Sequence, residues 1–219
     1  MGKKRLEDAL QQIDHPVTVN YRSFELDPNM ERDVNYNIYE KLAEKYGMSL
    51  EQAKSNCNNM EQMAQEAGLD FQFETQVLTN TFDAHRLTMF AKKHSLMHEM
   101  TDRLLRAHYS ESKHIGDHDM LIKLAEEVGL NRDDVAEMLA SNDMSEEVRA
   151  DEQKAQDHGI QSIPFFLING KYAITGAQPT DALVQSLQQI IDQDELSQAA
   201  NSPTGAICDE DGCEPPSKN

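Results

Sequence analysis

Apolar positions recur along the chain with two periods, and the change of period marks its organisation. Leu6, Ala9, Leu10 and Ile13 share one face at helical spacing, which predicts an amphipathic helix over Gly2 to Ile13. Val17, Val19 and Tyr21 then alternate, and the phase shifts to Phe24 and Leu26, the pattern of a strand with a bend or bulge ending at Asp27-Pro28-Asn29. Helical spacing returns over Asp33 to Tyr46, with Val34, Ile38, Leu42 and Ala43 inward and Gly47 as the stop. Ser49 and Gln52 form a capping-box pair, followed by a seam of Leu50, Ala53, Cys57, Met60, Ala64 and Ala67. Leu69 to Val77 reads as a linker or short strand, and Asn80 or Thr81 caps a helix running to His94. Further helices are predicted over Leu96 to Tyr109, Asp117 to Val128, Arg132 to Leu139 and Ser145 to His158.

The period changes again at Phe165. Four consecutive apolar residues, Phe165 to Ile168, precede Asn169-Gly170, the strongest two-residue hairpin signal, and Tyr172 to Thr175 supplies the antiparallel partner. Pro164 stands immediately before the first strand, where its missing N–H need not break a ladder. From spacing alone its peptide bond is expected to be trans. Pro179 at the first helical position opens a last helix with Leu183, Leu187, Ile190 and Ile191 as the buried stripe. Beyond Asp194 the chain turns to Ser, Asn, Gly, Pro and acid, the composition of a mobile tail.

Composition narrows the classes of function. The 219 residues carry a net charge of −19, which argues against nucleic-acid binding and against an anionic membrane surface, since both need clustered cations. No apolar run of about 18 residues exists to span a bilayer, and the basic start MGKKR is not followed by the apolar core of a signal peptide. A cytoplasmic location is the expectation. Lys3, Lys4 and Arg5 oppose the positive end of the first helix dipole, either as a solvated end or as a place where an anion normally sits.

Candidate chemistry lies in the cysteines and histidines. Cys57 sits on an apolar seam and reads as a small buried hydrophobe. Cys208 and Cys213 flank Asp209, Glu210, Asp211 and Gly212, a turn able to bring them within disulfide range; the acids should raise both thiol pKa values and slow their attack. Two cysteines are too few for zinc, and His94/His98 or His114/His118 at i, i+4 lack the companion ligands of a metal site, so none is expected.

Several stretches together resemble one family. G-I-x-S-I-P-F-F-x-I at Gly159 to Ile168 with the following G-A-Q, N-T-x-x-A-H-R-L at Asn80 to Leu87, H-I-G-D-H-D-M-L-I-x-L-A at His114 to Ala125, and F-E-L-D-P-N at Phe24 to Asn29 are similar to the DsbA-like thioredoxin family. Within it they resemble the branch of FrnE and the 2-hydroxychromene-2-carboxylate isomerases, and the C-x4-C at Cys208 to Cys213 favours the FrnE type. The resemblance implies an α/β thioredoxin-like sheet (residues 1–32 and 142–193), an inserted helical domain (33–141) and a flexible acidic tail (194–219). It implies a cis Pro164 lying against a redox-active C-x-x-C, with Ile163, Pro164 and His85 on the substrate side. No C-x-x-C occurs in this chain, and family members carry theirs directly before the helix that begins here at Gly2. The expectation is therefore that the main redox motif lies upstream of Met1, with Cys208 and Cys213 exchanging with it. The rival is a short form without redox activity, or one that borrows a strand from a partner, as a homodimer would.

Thiol-disulfide oxidoreduction on protein or small-molecule disulfides is the implied activity, and it needs no cofactor. A glutathione-using isomerase or transferase of the hydroxychromene-carboxylate type and a non-catalytic peptide-binding module are the alternatives.

Overall fold

The computed structural model describes residues 1–201, and every expected helix is present, several of them started by a side-chain cap. Helix α1 spans Gly2–Leu10. Helix α2 spans Ile38–Tyr46, five residues later than the apolar spacing from Asp33 suggests. The reason is a capping box. Asn37 Oδ1 accepts from the Glu40 amide at 3.0 Å and Glu40 Oε2 accepts from the Asn37 amide at 2.8 Å, which fixes the first turn there. The same device at Ser49 and Gln52, 3.1 Å in both directions, starts α3, Leu50–Glu66. Asn80 Oδ1 accepts from the Phe82 amide at 2.8 Å ahead of α4, Phe82–Lys93. There follow α5 (Met97–Tyr109), α6 (His118–Glu127), α7 (Arg132–Ala140) and α8 (Ser145–Asp157). Strands β1 (Phe165–Ile168) and β2 (Tyr172–Thr175) pair antiparallel, Phe165 opposite Thr175 and Ile168 opposite Tyr172. Their turn has φ of 52° at Asn169 and 66° at Gly170, the doubly positive geometry for which Asn-Gly is suited. Helix α9, Thr180–Asn201, closes the described chain.

Two apolar cores form. The larger joins α4 to α8 through Leu87, Met100, Leu121, Leu124, Val135, Met138 and Val148, all buried. The smaller packs α1 on α9 through Ala9, Leu183 and Leu187, with Leu6, Leu10, Ile13, Phe166, Ile168 and Ile174 around them. The smaller core joins the stripes read from the sequence in α1 and α9. Helix α8 follows the 141/142 boundary yet contributes Val148 to the larger core.

One expected element is absent as such. Residues 17–26 are extended but form no ladder, and β1 and β2 are the only strands among the described residues. The phase is also inverted. Val17, Val19 and Leu26 are exposed, while Ser23 and Glu25 are buried at 3% and 6% exposure. Polar anchoring to α8 overrides the apolar alternation: Asp151 accepts from the Ser23 amide at 3.1 Å, and Arg149 donates to Glu25 at 2.6 Å.

Candidate active site

Pro164 lies on the N-terminal end of α1. A Cβ at buried Gly2 would approach Pro164 Cβ to 2.9 Å and its Cγ more closely still, so only glycine allows this contact. The Ile163–Pro164 bond is cis, as the resemblance implies and spacing alone does not. Pro164 O accepts from the Gly176 amide at 2.8 Å, and Arg5 Nη1 donates to Ala177 O at 2.6 Å, so helix end, proline and hairpin exit are tied together. Ile163 is 47% exposed beside them, and β1 has a partner only on the β2 side among the described residues. An exposed apolar residue beside an unpaired strand edge can take an extended peptide.

The helix end is electropositive. The Met1 amine is held below its ordinary pKa by burial first, then by the charges of Arg5 and Lys3. Burial would act on a thiol in the opposite direction, but the two cations and the helix dipole would favour its thiolate. The cations are themselves partnered: Lys3 meets Glu7 and Asp102, and Lys4 meets Asp8. The first turn is thus tied to acids on its own and a neighbouring helix.

His85 lies on α4, within reach of the charges of Asp151 and Glu152 on α8. Burial pushes its pKa down, while Glu152 and Asp151 pull it up, leaving a neutral imidazole. These acids belong to a cluster that sequence reasoning missed. Arg149 Nη1 donates to Glu25 Oε2 at 2.6 Å and to Glu152 Oε2 at 2.5 Å. Glu25 is raised from the ordinary carboxyl value by burial and by Glu152, while bonds to Arg149 and Glu25 outweigh burial and lower Glu152. Glu25 lies between Phe24 and Leu26 in the alternation, so the pattern assigned it to solvent. Its neighbourhood with Asp151 and Glu152 is a tertiary fact with no local signal.

The cysteines divide. Cys57 is 3% exposed and its thiol is pushed up by burial and then by Glu61, the opposite of an attacking thiol. Cys208 and Cys213 lie outside the described residues. Neither histidine pair converges: His94 lies 4.7 Å from the Phe90 ring, His114 contacts Asp33 at 3.2 Å, and His118 contacts Asp83 at 2.7 Å. Glu7, His98 and Asp102 come together as one group, but Lys3 already joins both carboxylates and Tyr21 Oη meets His98 Nδ1 at 3.1 Å. The sequence missed that grouping because it joins α1 to α5.

A family model described as a DSBA-like thioredoxin domain matches residues 1–188. The chain is similar, at 33% identity and a TM-score of 0.83, to a probable DsbA oxidoreductase from Streptomyces coelicolor, over 99% of this chain and 93% of that one. It is 33% identical over 99 residues to the uncharacterized protein YwbO of Bacillus subtilis, 45% of this chain and 49% of that protein. The chain thus spans about half the length of the curated relative it matches. A 2-hydroxychromene-2-carboxylate isomerase shares the fold, with a TM-score of 0.65, 15% identity and 92% of each chain covered. No described helix is long and apolar enough to cross a membrane.

Proposed function

The chain belongs to the DSBA-like thioredoxin domain family, and from that premise we propose thiol-disulfide oxidoreduction at the face formed by Pro164 and the N-terminal end of α1. The contact of Pro164 on Gly2 carries this reading. It puts an electropositive helix end, an exposed Ile163 and an unpaired strand edge in one place. A cysteine thiolate brought to this face, which none of the described residues supplies, would attack a substrate disulfide, form a mixed disulfide and expel the second sulfur as thiolate; a further thiol would close the protein disulfide and release the reduced substrate. Two electrons pass to the substrate. Cys57, buried and raised, is not the nucleophile. Cys208 and Cys213 are proposed as the pair that exchanges with or resolves the sulfur at the helix end.

The test uses the protein from its native cell. A disulfide-bearing peptide is offered, the mixed disulfide is trapped by acid and alkylation, and peptide mapping locates the sulfur. Attachment at a cysteine distinct from Cys57, Cys208 and Cys213, with slower resolution in a Cys208→Ser/Cys213→Ser variant, is expected. A protein with no exchange above that of glutathione alone overturns the proposal and favours peptide binding. Glutathione-dependent isomerisation without disulfide exchange points to the isomerase alternative.

A further inference from the structure

A second site lies between α4, α8 and the extended segment at Arg22. A cleft of about 450 Å³ there, within the range of small-molecule sites, has buried Met89 in its wall. Four cations line it: Arg22, Lys92, Lys93 and Lys154. Only two acids do, and both are engaged. Asp151 accepts from Arg22 at 3.0 Å and from the Ser23 amide at 3.1 Å, and Glu147 lies 3.4 Å from Lys93. Lys92 and Lys154 make no ion pair among the described residues. The cleft therefore carries two more positive than negative groups in a chain whose net charge is −19.

Lysines in last helical turns offset the dipole, and Lys92, Lys93 and Lys154 occupy such turns. That accounts for each one separately. It does not account for their lining one cleft with Arg22, where the cations left over by Asp151 and Glu147 would be offset by a bound anion. Ammonium groups act as mobile point charges, suited to a tetrahedral oxyanion, whereas planar carboxylates favour the guanidinium fork. The cleft is too small to follow a nucleic-acid backbone. We infer that it binds a small dianionic or more highly charged ligand of the phosphate or diphosphate class.

Pyrophosphate is the probe, titrated calorimetrically into the full chain at about 0.1 M chloride, where charges beyond about 10 Å are screened. Binding with a Kd below about 1 mM is expected. Lys92→Gln/Lys154→Gln should weaken it about tenfold or more, since both side chains are exposed and their loss leaves the cores intact. Lys41→Gln/Lys45→Gln, at a different cleft beside Asp27 and Pro28, is the control and should leave affinity unchanged. Thermal melts confirm that each variant folds. Absence of binding in the parent, or an equal loss in both double variants, overturns the site.

Discussion

At the scale of single residues, Gly2 and Glu25 are two positions whose surroundings constrain the side chain. A methyl group at Gly2 would overlap the Pro164 ring, so Gly2→Ala should cost about 1–3 kcal/mol through overpacking and be read as a lower midpoint in urea melts. A midpoint equal to that of the parent would mean that the contact yields easily. Glu25 is raised in the fold, so the folded state holds a proton that the unfolded chain gives up near the ordinary carboxyl value. Its contribution is present below about pH 4 and is lost as pH rises through the folded value. Glu152, lowered, acts oppositely, gaining above the ordinary value and losing as the pH falls. Glu25→Gln keeps the shape, offers Arg149 a neutral acceptor and cannot ionise. Its stability relative to the parent should therefore grow as the pH rises above the ordinary carboxyl value, measured by urea melts at each pH. A difference that stays flat with pH would show that Glu25 does not hold the extra proton.

At the scale of elements, Arg86 shows how one side chain ends one helix and aligns another. It is 4% exposed and donates to Met138 O and Ser141 O at 2.6 Å, to Asp143 O at 2.8 Å and to Asp83 at 2.7 Å. Ser141 O and Asp143 O, just past the end of α7, thereby find a donor, and Met138 O, which also accepts from Ser141, gains a further one. Asp83 feels burial, which raises it, but bonds to His118 and Arg86 outweigh this and hold it below the usual range. Arg86→Met keeps the stem and removes every donor, so a loss of about 3–5 kcal/mol is expected from the buried orphans, read as a fall in Tm. Such a bond set leaves no trace in apolar spacing. Helices α2 and α3 were legible because Asn37–Glu40 and Ser49–Gln52 are local codes, and the hairpin because Asn169-Gly170 specifies its own turn. The segment 17–26 was misread because its conformation is imposed by Asp151 and Arg149, more than 120 residues away. Pro164 was visible as unusual from its place before a strand, whereas its neighbour Gly2 became significant only through the contact between them.

At the scale of the whole molecule, the two cores meet across a polar seam. Lys3 bridges to Asp102 at 2.5 Å, Tyr21 to His98 at 3.1 Å, Arg22 to Asp151 at 3.0 Å and Arg149 to Glu25 at 2.6 Å. No apolar cluster spans it among the described residues. Each pair joins an exposed partner (Asp102, His98, Arg22 or Arg149) to a more buried one, so salt screens it in part, whereas apolar burial is not screened. The smaller core has three fully packed residues against eighteen in the larger, so the unit of α1, the hairpin and α9 should open first. Native-state hydrogen exchange at neutral pH should find the amides of Leu87 and Leu121 protected at least about a hundredfold more than those of Ala9 and Leu183. Raising salt from about 0.1 M to 1 M should speed exchange in α1 and residues 22–25 while leaving α4 to α7 nearly unchanged. Equal protection in both cores, or a salt response shared by all helices, would mean that the seam couples them into one cooperative unit. Preferential opening instead means that Pro164 and the end of α1 sit on the more labile unit while the helical core stays closed.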